Sequence, residues 1–317
     1  MNIHIANASL PRSAGETVAA KRPFVLALRG FVCDRYTNAG MQGASLLARA
    51  AAVRLQAPLR ELGVPEPARN LGWRENLAKA STYLRDVAGE IDELMWHHRL
   101  PFIFANRCGV SLATIAAMLR HRPEAKIVWC DAHGDFNTPA TTPTGYLGGM
   151  VLSALCGLWD SGFGAGLSPD RVVLVGARDL DPGESELIAA HGVRVIAAKD
   201  GMIDTGRVIE AVDGAPVWLH IDTDVVDPLY LPAEYRVGGG LHPAALRALV
   251  RELVRASELV GFELTEFEAP SNPGRRARAV QTAIRMIEPL FPAGPDRGNR
   301  VYKRLQTDRT GAASVVT

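Results

Sequence analysis

The sequence is poor in cysteine and in net charge. Its 317 residues include only four cysteines, and no two of these have a CxxC spacing. A disulfide framework is therefore not expected, and a reducing compartment fits. Lys and Arg number 35 against 34 Asp and Glu, which gives a formal net charge of +1. No overall basic field is present to hold nucleic acid or an anionic membrane, so any ligand is bound by a local arrangement of side chains.

Long hydrophobic runs are also lacking. The longest apolar stretches, such as Phe24 to Leu28, fall far short of the ~20 residues that a membrane-spanning helix needs. The segment from Met1 to Pro23 is polar throughout and has no apolar signal-peptide centre, so we expect a cytoplasmic protein. What the sequence does contain is 47% hydrophobic residues, enough for a large buried core.

Short apolar runs alternate with longer segments of helical periodicity. This pattern predicts an α/β fold in which helices cover both faces of a mostly parallel sheet. Predicted strands are Phe24 to Arg29, Phe102 to Ala105, Lys126 to Cys130, Arg171 to Gly176, Val193 to Ile196, Pro216 to Ile221 and Glu258 to Leu264. Predicted helices are Ala39 to Leu55, Arg74 to Trp96, Ser111 to His121, Gly149 to Leu158, Glu184 to Ala190, Pro243 to Ala256 and Arg276 to Leu290.

No linker or internal repeat divides these elements, so we expect one domain over residues 23–294. The segments 1–22 and 295–317 are polar and aperiodic, and are predicted to be flexible extensions.

The most informative segment follows the predicted strand Lys126 to Cys130 and contains Asp131, His133 and Asp135 at two-residue intervals. Residues at this spacing project to the same side of an extended backbone. The carboxyl ends of strands in an open parallel sheet form the ligand-binding crevice, so the three side chains are expected to converge there. Two carboxylates and an imidazole at one place predict a metal site.

A second predicted strand ends with the same spacing, in Asp222 and Asp224. Four carboxylates at one sheet edge repel one another unless cations neutralise them, and two divalent ions would do so. Ligands dominated by oxygen favour a hard metal such as Mn²⁺.

The DxHxDxN and DxDxxDP motifs resemble those of the ureohydrolases, the arginase and agmatinase superfamily. The resemblance runs from about Val25 to Leu290. It implies a three-layer α/β/α sandwich and a centre of two Mn²⁺ ions, at which hydroxide derived from metal-bound water attacks a guanidino carbon. Five of the six usual metal ligands are matched, by Asp131, His133, Asp135, Asp222 and Asp224.

The same resemblance implies roles for residues around the metals. Asn137 and Thr144 match positions that bind the amino-acid end of the substrate, and Asp181 and Glu184 match those that bind its α-amino group. Glu266 matches the carboxylate that holds the guanidinium. In the expected mechanism Asp135 carries a proton to the departing amine, so Asp135 and Glu266 are the predicted catalytic residues.

Two positions depart from the superfamily pattern. Its Gly-Gly-Asp-His motif is replaced by Ala105-Asn106-Arg107-Cys108, which places Cys108 where the sixth ligand, a histidine, is usual. A cysteine thiolate is also able to ligate metal. Gly148 stands where arginases carry a histidine thought to shuttle protons, and Tyr146 replaces a small polar residue nearby.

Both departures resemble one branch of the superfamily, which acts in D-cycloserine biosynthesis and hydrolyses Nω-hydroxy-L-arginine to hydroxyurea and L-ornithine. Two alternatives stay open: an arginase-type or agmatinase-type hydrolase that releases urea from another guanidine, and a non-catalytic scaffold. Asp181 and Asn137 favour an α-amino acid over agmatine, and retention of the clustered carboxylates argues against a scaffold. Superfamily members are often trimers or hexamers, so a homo-oligomer is possible.

Overall fold

A computed structural model describes residues 22–291. Its eight strands form one sheet in the order β2-β1-β3-β8-β7-β4-β5-β6, and every neighbouring pair is parallel. The strands are β1 Arg22–Leu28, β2 Leu59–Leu62, β3 Arg99–Ala105, β4 Lys126–Cys130, β5 Val172–Val175, β6 Arg194–Ile196, β7 Val217–Asp222 and β8 Leu259–Thr265. The predicted extensions, residues 1–22 and 295–317, lie outside the described residues except for Arg22, the first residue of β1.

Helices cover both faces of the sheet. They are α1 Ala39–Leu55, α2 Trp73–Trp96, α3 Ser111–His121, α4 Val151–Leu155, α5 Pro182–Ala190, α6 Thr205–Val212, α7 Pro243–Ala256 and α8 Pro273–Met286. None of the helices between residues 22 and 291 is long and apolar enough to cross a membrane.

Two hydrophobic cores lie on opposite faces of the sheet. In β1, Val25 and Ala27 belong to one core, whereas Leu26 and Leu28 belong to the other, as the two-residue period of a strand requires. The first core includes residues of α1, α6, α7 and α8, and the second includes residues of α2, α3, α4 and α5. The predicted three-layer α/β/α sandwich is therefore confirmed.

Two short elements were not predicted, the edge strand β2 and helix α6. The predicted helix from Gly149 to Leu158 is shorter in the structure: a 3₁₀ turn at Gly148–Met150 leads into α4, and Gly157 adopts a left-handed φ of 80° shortly after α4 ends. The last predicted helix begins earlier, at Pro273. Pro is favoured in the first turn of a helix because its missing N–H has no intrahelical partner there.

The strand order brings distant segments together. Strands β3 and β4 follow one another in the sequence but are separated in the sheet by β8 and β7. The carboxyl ends of β3, β8, β7 and β4 therefore lie side by side. These four ends carry Cys108, Glu266, Asp222 and Asp131 respectively, each within three residues of its strand.

Candidate metal centre

The end of β4 places Asp131 and His133 in contact. The Asp131 carboxylate accepts hydrogen bonds from Trp129 Nε1 at 2.9 Å and from the His133 backbone N–H at 2.7 Å. Nδ1 of His133 lies 3.3 Å from Asp131 Oδ1 and 3.1 Å from Asp224 Oδ2. The imidazole thus joins the motif after β4 to the motif after β7.

Asp222 and Asp224 are fixed by the turn that follows β7. The Asp224 backbone N–H donates to Asp222 Oδ1 at 2.8 Å, and the Ala132 N–H donates to Asp224 Oδ1 at 3.0 Å. Both carboxylates are buried. Backbone donors therefore orient them toward the cavity between β4 and β7.

Asp135 completes the carboxylate group from a strained backbone position. Its φ of 47° is in the left-handed region, which a residue with a side chain seldom adopts, and such positions cluster at functional sites. The side chain lines the cavity, and it accepts no hydrogen bond from any residue between 22 and 291. Its oxygens therefore face the cavity without a protein donor among the described residues.

The electrostatics of these carboxylates favour a bound cation. Burial, followed by the negative charge of neighbouring aspartates, raises the pKa of Asp135, Asp222 and Asp224 above the ordinary range. Burial alone would lower the pKa of His133, but its hydrogen bonds to Asp131 and Asp224 raise it well above its usual value. Without metal the group binds protons, and divalent cations would displace those protons.

Cys108 lies within this group, in a short 3₁₀ turn after β3. Its Sγ is 3.0 Å from Asp222 Oδ2, to which the thiol donates, and 3.4 Å from His220 Nε2. Burial and the charge of Asp222 raise the pKa of the Cys108 thiol well above its usual value, so ligation would require a metal ion to displace the proton.

His220 lies behind Cys108 in a buried network. Its ring stacks on Trp129 with centroids 3.4 Å apart, and its Nδ1 is 2.8 Å from Glu263 Oε1. Ser111 and Thr114 donate to the same carboxylate. The network holds the imidazole edge against Cys108 Sγ.

The donor set fits divalent metal ions. Three groups of three side chains bring their ligand atoms within 4.8 Å of one another. They are Asp131, His133 and Asp224; Cys108, Asp222 and Glu266; and Cys108, Asp131 and His220. Every member except His133 is buried. Carboxylate oxygens predominate, as in sites for hard cations, and the other donors are histidine nitrogens and the sulfur of Cys108.

Glu266 reaches the cavity from the end of β8, also with a left-handed backbone (φ 62°). Its Oε1 accepts from the Cys108 backbone N–H at 3.0 Å, and its Oε2 accepts from Arg107 Nη1 at 2.6 Å. Burial raises the pKa of Glu266 to about 8, although the Arg107 guanidinium opposes that rise.

Arg107 is a residue whose importance the sequence motifs did not indicate. Its side chain is inaccessible to solvent, and it forms ion pairs with four carboxylates from three separate segments: Asp34, Glu234, Glu266 and Glu268. Burial disfavours the guanidinium charge, but Glu266 and Asp34 raise the pKa of Arg107 well above its usual value. The only sequence signal is a charged residue two positions after a buried strand.

The residues predicted to bind the amino-acid end line the outer part of the same cavity, whose volume is about 230 Å³. Asn137 Nδ2 donates to Asp181 Oδ2 at 2.9 Å, and Thr144 lies nearby on the cavity wall. Glu184 also lines the cavity but is engaged by the backbone, because it accepts from Phe136 N–H at 2.8 Å and from Asp181 N–H at 3.3 Å. Ten of the eleven predicted site residues therefore line one cavity, and the eleventh, Asp131, lies beside it in contact with His133.

The two departures near residue 148 are linked in space. A Cβ on Gly148 would overlap the ring of Tyr146, so the tyrosine ring fills the space that a side chain at position 148 would need. Tyr146 packs against Tyr235 with ring centroids 5.1 Å apart, and its hydroxyl accepts from Cys33 Sγ at 3.6 Å. An aromatic wall therefore stands beside Gly148, the position at which the sequence resemblance notes the absence of a histidine.

Known proteins share both the sequence and the fold. Residues 45–289 match the arginase family. The chain is 45% identical over 269 residues to the N(omega)-hydroxy-L-arginine amidinohydrolase of Streptomyces lavendulae, which covers 85% of this chain and 97% of that protein. It is 27% identical over 234 residues to the arginase of Bacillus caldovelox, covering 68% and 76% of the two chains. The solved structure of Bacillus cereus arginase superimposes with a TM-score of 0.75 at 25% identity, over 87% of this chain and all of that one.

Proposed function

The chain belongs to the arginase family, and we propose that it hydrolyses the guanidino group of an amino acid, with Nω-hydroxy-L-arginine as substrate and hydroxyurea and L-ornithine as products. One observation carries the proposal. Asp131, His133, Asp135, Asp222 and Asp224 converge on one cavity, where a single imidazole faces four carboxylates, in a chain 45% identical to an amidinohydrolase of that specificity.

We propose two Mn²⁺ ions as the cofactor. The five Asp and His side chains and Cys108 would hold them, because predominantly oxygen donors suit a hard cation. When bound, the ions supply Lewis acidity and a water nucleophile that is active near neutral pH.

The chain's own residues orient the substrate and move protons. Glu266 accepts hydrogen bonds from the guanidino nitrogens and so fixes the plane of the group. Asp135, whose carboxylate lines the cavity, would take up the proton released when water attacks the guanidino carbon and pass it to the departing ornithine amine. Asn137, Thr144 and Asp181 bind the amino-acid end and contribute orientation.

The ion pair between Arg107 and Glu266 supports a hydroxyguanidine over a guanidine. Glu266 shares its negative charge with a guanidinium already present in the protein, 2.6 Å away. The pocket therefore offers less net negative charge to a second, fully cationic guanidinium. A hydroxyguanidine is less basic than a guanidine, so more of it is neutral. Its binding therefore depends less on the negative charge of Glu266.

The substrate proposal is tested by colorimetric assay of hydroxyurea and urea released from hydroxyarginine, arginine and agmatine with added Mn²⁺. We expect hydroxyarginine to have the highest kcat/KM. A higher value for arginine or agmatine would replace this proposal with an arginase-type or agmatinase-type activity.

The metal ligands are tested by Asp131→Ala and Asp224→Ala, with Asp86→Ala on the exposed face of α2 as the matched control. Both ligand variants should lose bound manganese and activity, and the control should keep both. Full metal content and turnover in either ligand variant would reject the assignment. Absence of stoichiometric metal in the parent, even after incubation with manganese, would favour a non-catalytic scaffold.

Cys108→Ser tests whether the sulfur is a ligand. We expect this variant to keep the fold and to bind one of the two manganese ions more weakly. Two ions bound with unchanged affinity, together with unchanged hydroxyarginine turnover, would show that Cys108 does not ligate metal.

A further inference from the structure

The cavity is strongly acidic and has a single permanently charged cation on its wall. Among the described residues that line it, Arg35 is the one Lys or Arg. The carboxylates on the same wall number seven: Asp135, Asp179, Asp181, Glu184, Asp222, Asp224 and Glu266. Arg35 belongs to the loop between β1 and α1, outside the metal motifs.

The Arg35 guanidinium is held in place by neutral groups. Its Nε donates to Asn70 Oδ1 at 2.7 Å, and its Nη2 donates to the Thr144 carbonyl at 2.9 Å. Its central carbon lies 5.5 Å from the centroid of the Tyr146 ring. Within residues 22–291 no carboxylate forms an ion pair with Arg35, so its charge is available to a ligand.

An amino acid presents a negative carboxylate as well as a positive amine. The acidic groups at the outer part of the cavity, Asp179 and Asp181, suit the amine but repel the carboxylate. Asn137 and Thr144 are neutral and provide hydrogen bonds without a compensating charge. Arginine presents a fork of N–H donors that matches a carboxylate, and Arg35 already contacts the backbone of Thr144.

We propose that Arg35 binds the α-carboxylate of the substrate and thereby selects amino acids over their decarboxylated amines. This inference rests on the proposed function and assigns one part of its specificity. Asp181, which lines the same cavity, would hold the α-ammonium group, so the two charges of the zwitterion meet opposite charges.

The kinetic test uses the full chain loaded with Mn²⁺ and the variant Arg35→Gln. We expect the KM for hydroxyarginine to rise about 10–100-fold, the effect of losing a hydrogen bond between charged groups, with little change in kcat. The decarboxylated analogue Nω-hydroxyagmatine should keep its kcat/KM. Arg35→Lys should recover part of the lost affinity, because it restores the charge without the fork.

Arg74→Gln is the matched control. Arg74 also lies over an aromatic ring, 4.5 Å from the centroid of Trp73, but it does not line the cavity. It should leave both substrates unaffected. If Arg35→Gln weakened hydroxyarginine and hydroxyagmatine equally, Arg35 would only support the Tyr146 wall, and the proposal would be overturned.

A binding measurement separates this inference from the proposed reaction. Calorimetric titration with L-ornithine and with putrescine, which lacks the carboxylate, requires no turnover. Arg35→Gln should weaken ornithine binding about 10-fold or more and leave putrescine binding unchanged. Equal ornithine affinity in parent and variant, or no ornithine binding by the parent, would overturn the role of Arg35. If Arg35→Gln released hydroxyurea with an unchanged KM, the proposed reaction would stand but Arg35 would have no part in it.

Discussion

Replacing Arg107 by methionine should strongly destabilise the protein in a pH-dependent manner. The Arg107 side chain is inaccessible to solvent and neutralises part of a group of four carboxylates. Methionine fills a similar volume but leaves Asp34, Glu234, Glu266 and Glu268 without a cation. The change therefore isolates the charge from the packing.

The expected loss of stability follows from the burial of the ion pairs that Arg107 forms. Removing one partner of a buried ion pair costs about 3–5 kcal/mol, because the remaining charge is left desolvated. For a domain of this size each kcal/mol lowers the melting temperature by about 2–4 °C, so we expect a loss of roughly 6–20 °C.

The sign of the pH dependence comes from the carboxylates. Burial already raises the pKa of Asp34, Glu234 and Glu266, the last to about 8, and loss of Arg107 raises them further. A carboxyl whose folded pKa exceeds its unfolded pKa loses stabilising free energy as the pH rises from the unfolded value toward the folded one. The loss of unfolding free energy caused by Arg107→Met should therefore be larger at pH 8 than at pH 5.

The assay is thermal unfolding followed by circular dichroism, on chelator-treated protein at both pH values. Arg247→Met is the control, because the Arg247–Glu288 pair is nearly half exposed and such surface pairs contribute about 0–1 kcal/mol. The reasoning would be refuted if, at both pH values, the melting temperature of Arg107→Met lay as close to that of the parent as the melting temperature of Arg247→Met does.

Three further predictions concern the cavity. Gly148→His should lower the unfolding free energy by about 1–3 kcal/mol because the new side chain overlaps Tyr146, and the added change Tyr146→Ala should restore most of that loss. Equal melting temperatures of the single and double variants would contradict this. Mn²⁺ at 100 times its Kd should stabilise the parent by about 2.7 kcal/mol for each of the two ions, and Asp224→Asn should show a smaller gain in thermal melts. An equal gain in the variant would remove Asp224 from the ligand set. Burial raises the pKa of Glu184 to about 7, so the unfolding free energy of the metal-free protein should fall as the pH rises from 4.5 to 7. Glu184→Gln should make this fall less steep, and an equally steep fall in the variant would contradict the raised pKa of Glu184.

The ends of β4 and β7 were predictable because their signal is local. The two-residue spacing of Asp131, His133 and Asp135 places these side chains together whatever the rest of the chain does, and Asp222 and Asp224 follow the same rule. The positions of α1, α3 and α7 were also predicted correctly, because α1 and α7 have long apolar stripes and α3 is buried on all sides over nine consecutive residues. Short elements lack such a stripe, and the half-buried strand β2, with only four residues, gave no clear alternation.

The group around Arg107 could not be predicted because its members are far apart in the sequence. Asp34 precedes Arg107 by 73 residues, and Glu266 follows it by 159. No spacing rule relates these positions, and the sheet order alone brings them together. Arg35 was overlooked for the same reason: its contact with Thr144 spans 109 residues.

The contact between Gly148 and Tyr146 explains two departures from the family pattern together. In the sequence the two residues are separate departures from a family pattern. In the structure the tyrosine ring occupies the space of the missing side chain. Recognition of such a pair requires coordinates, because sequence spacing does not give the direction of a loop side chain.

The central claim is that two metal ions bind at the joined ends of β3, β4, β7 and β8. Anomalous diffraction at the manganese edge, from crystals grown with Mn²⁺, tests it most directly. We expect two manganese positions among Asp131, His133, Asp135, Asp222 and Asp224, one of them beside Cys108 Sγ. Manganese located elsewhere, or hydroxyarginine turnover by protein whose cavity holds no metal, would contradict the account.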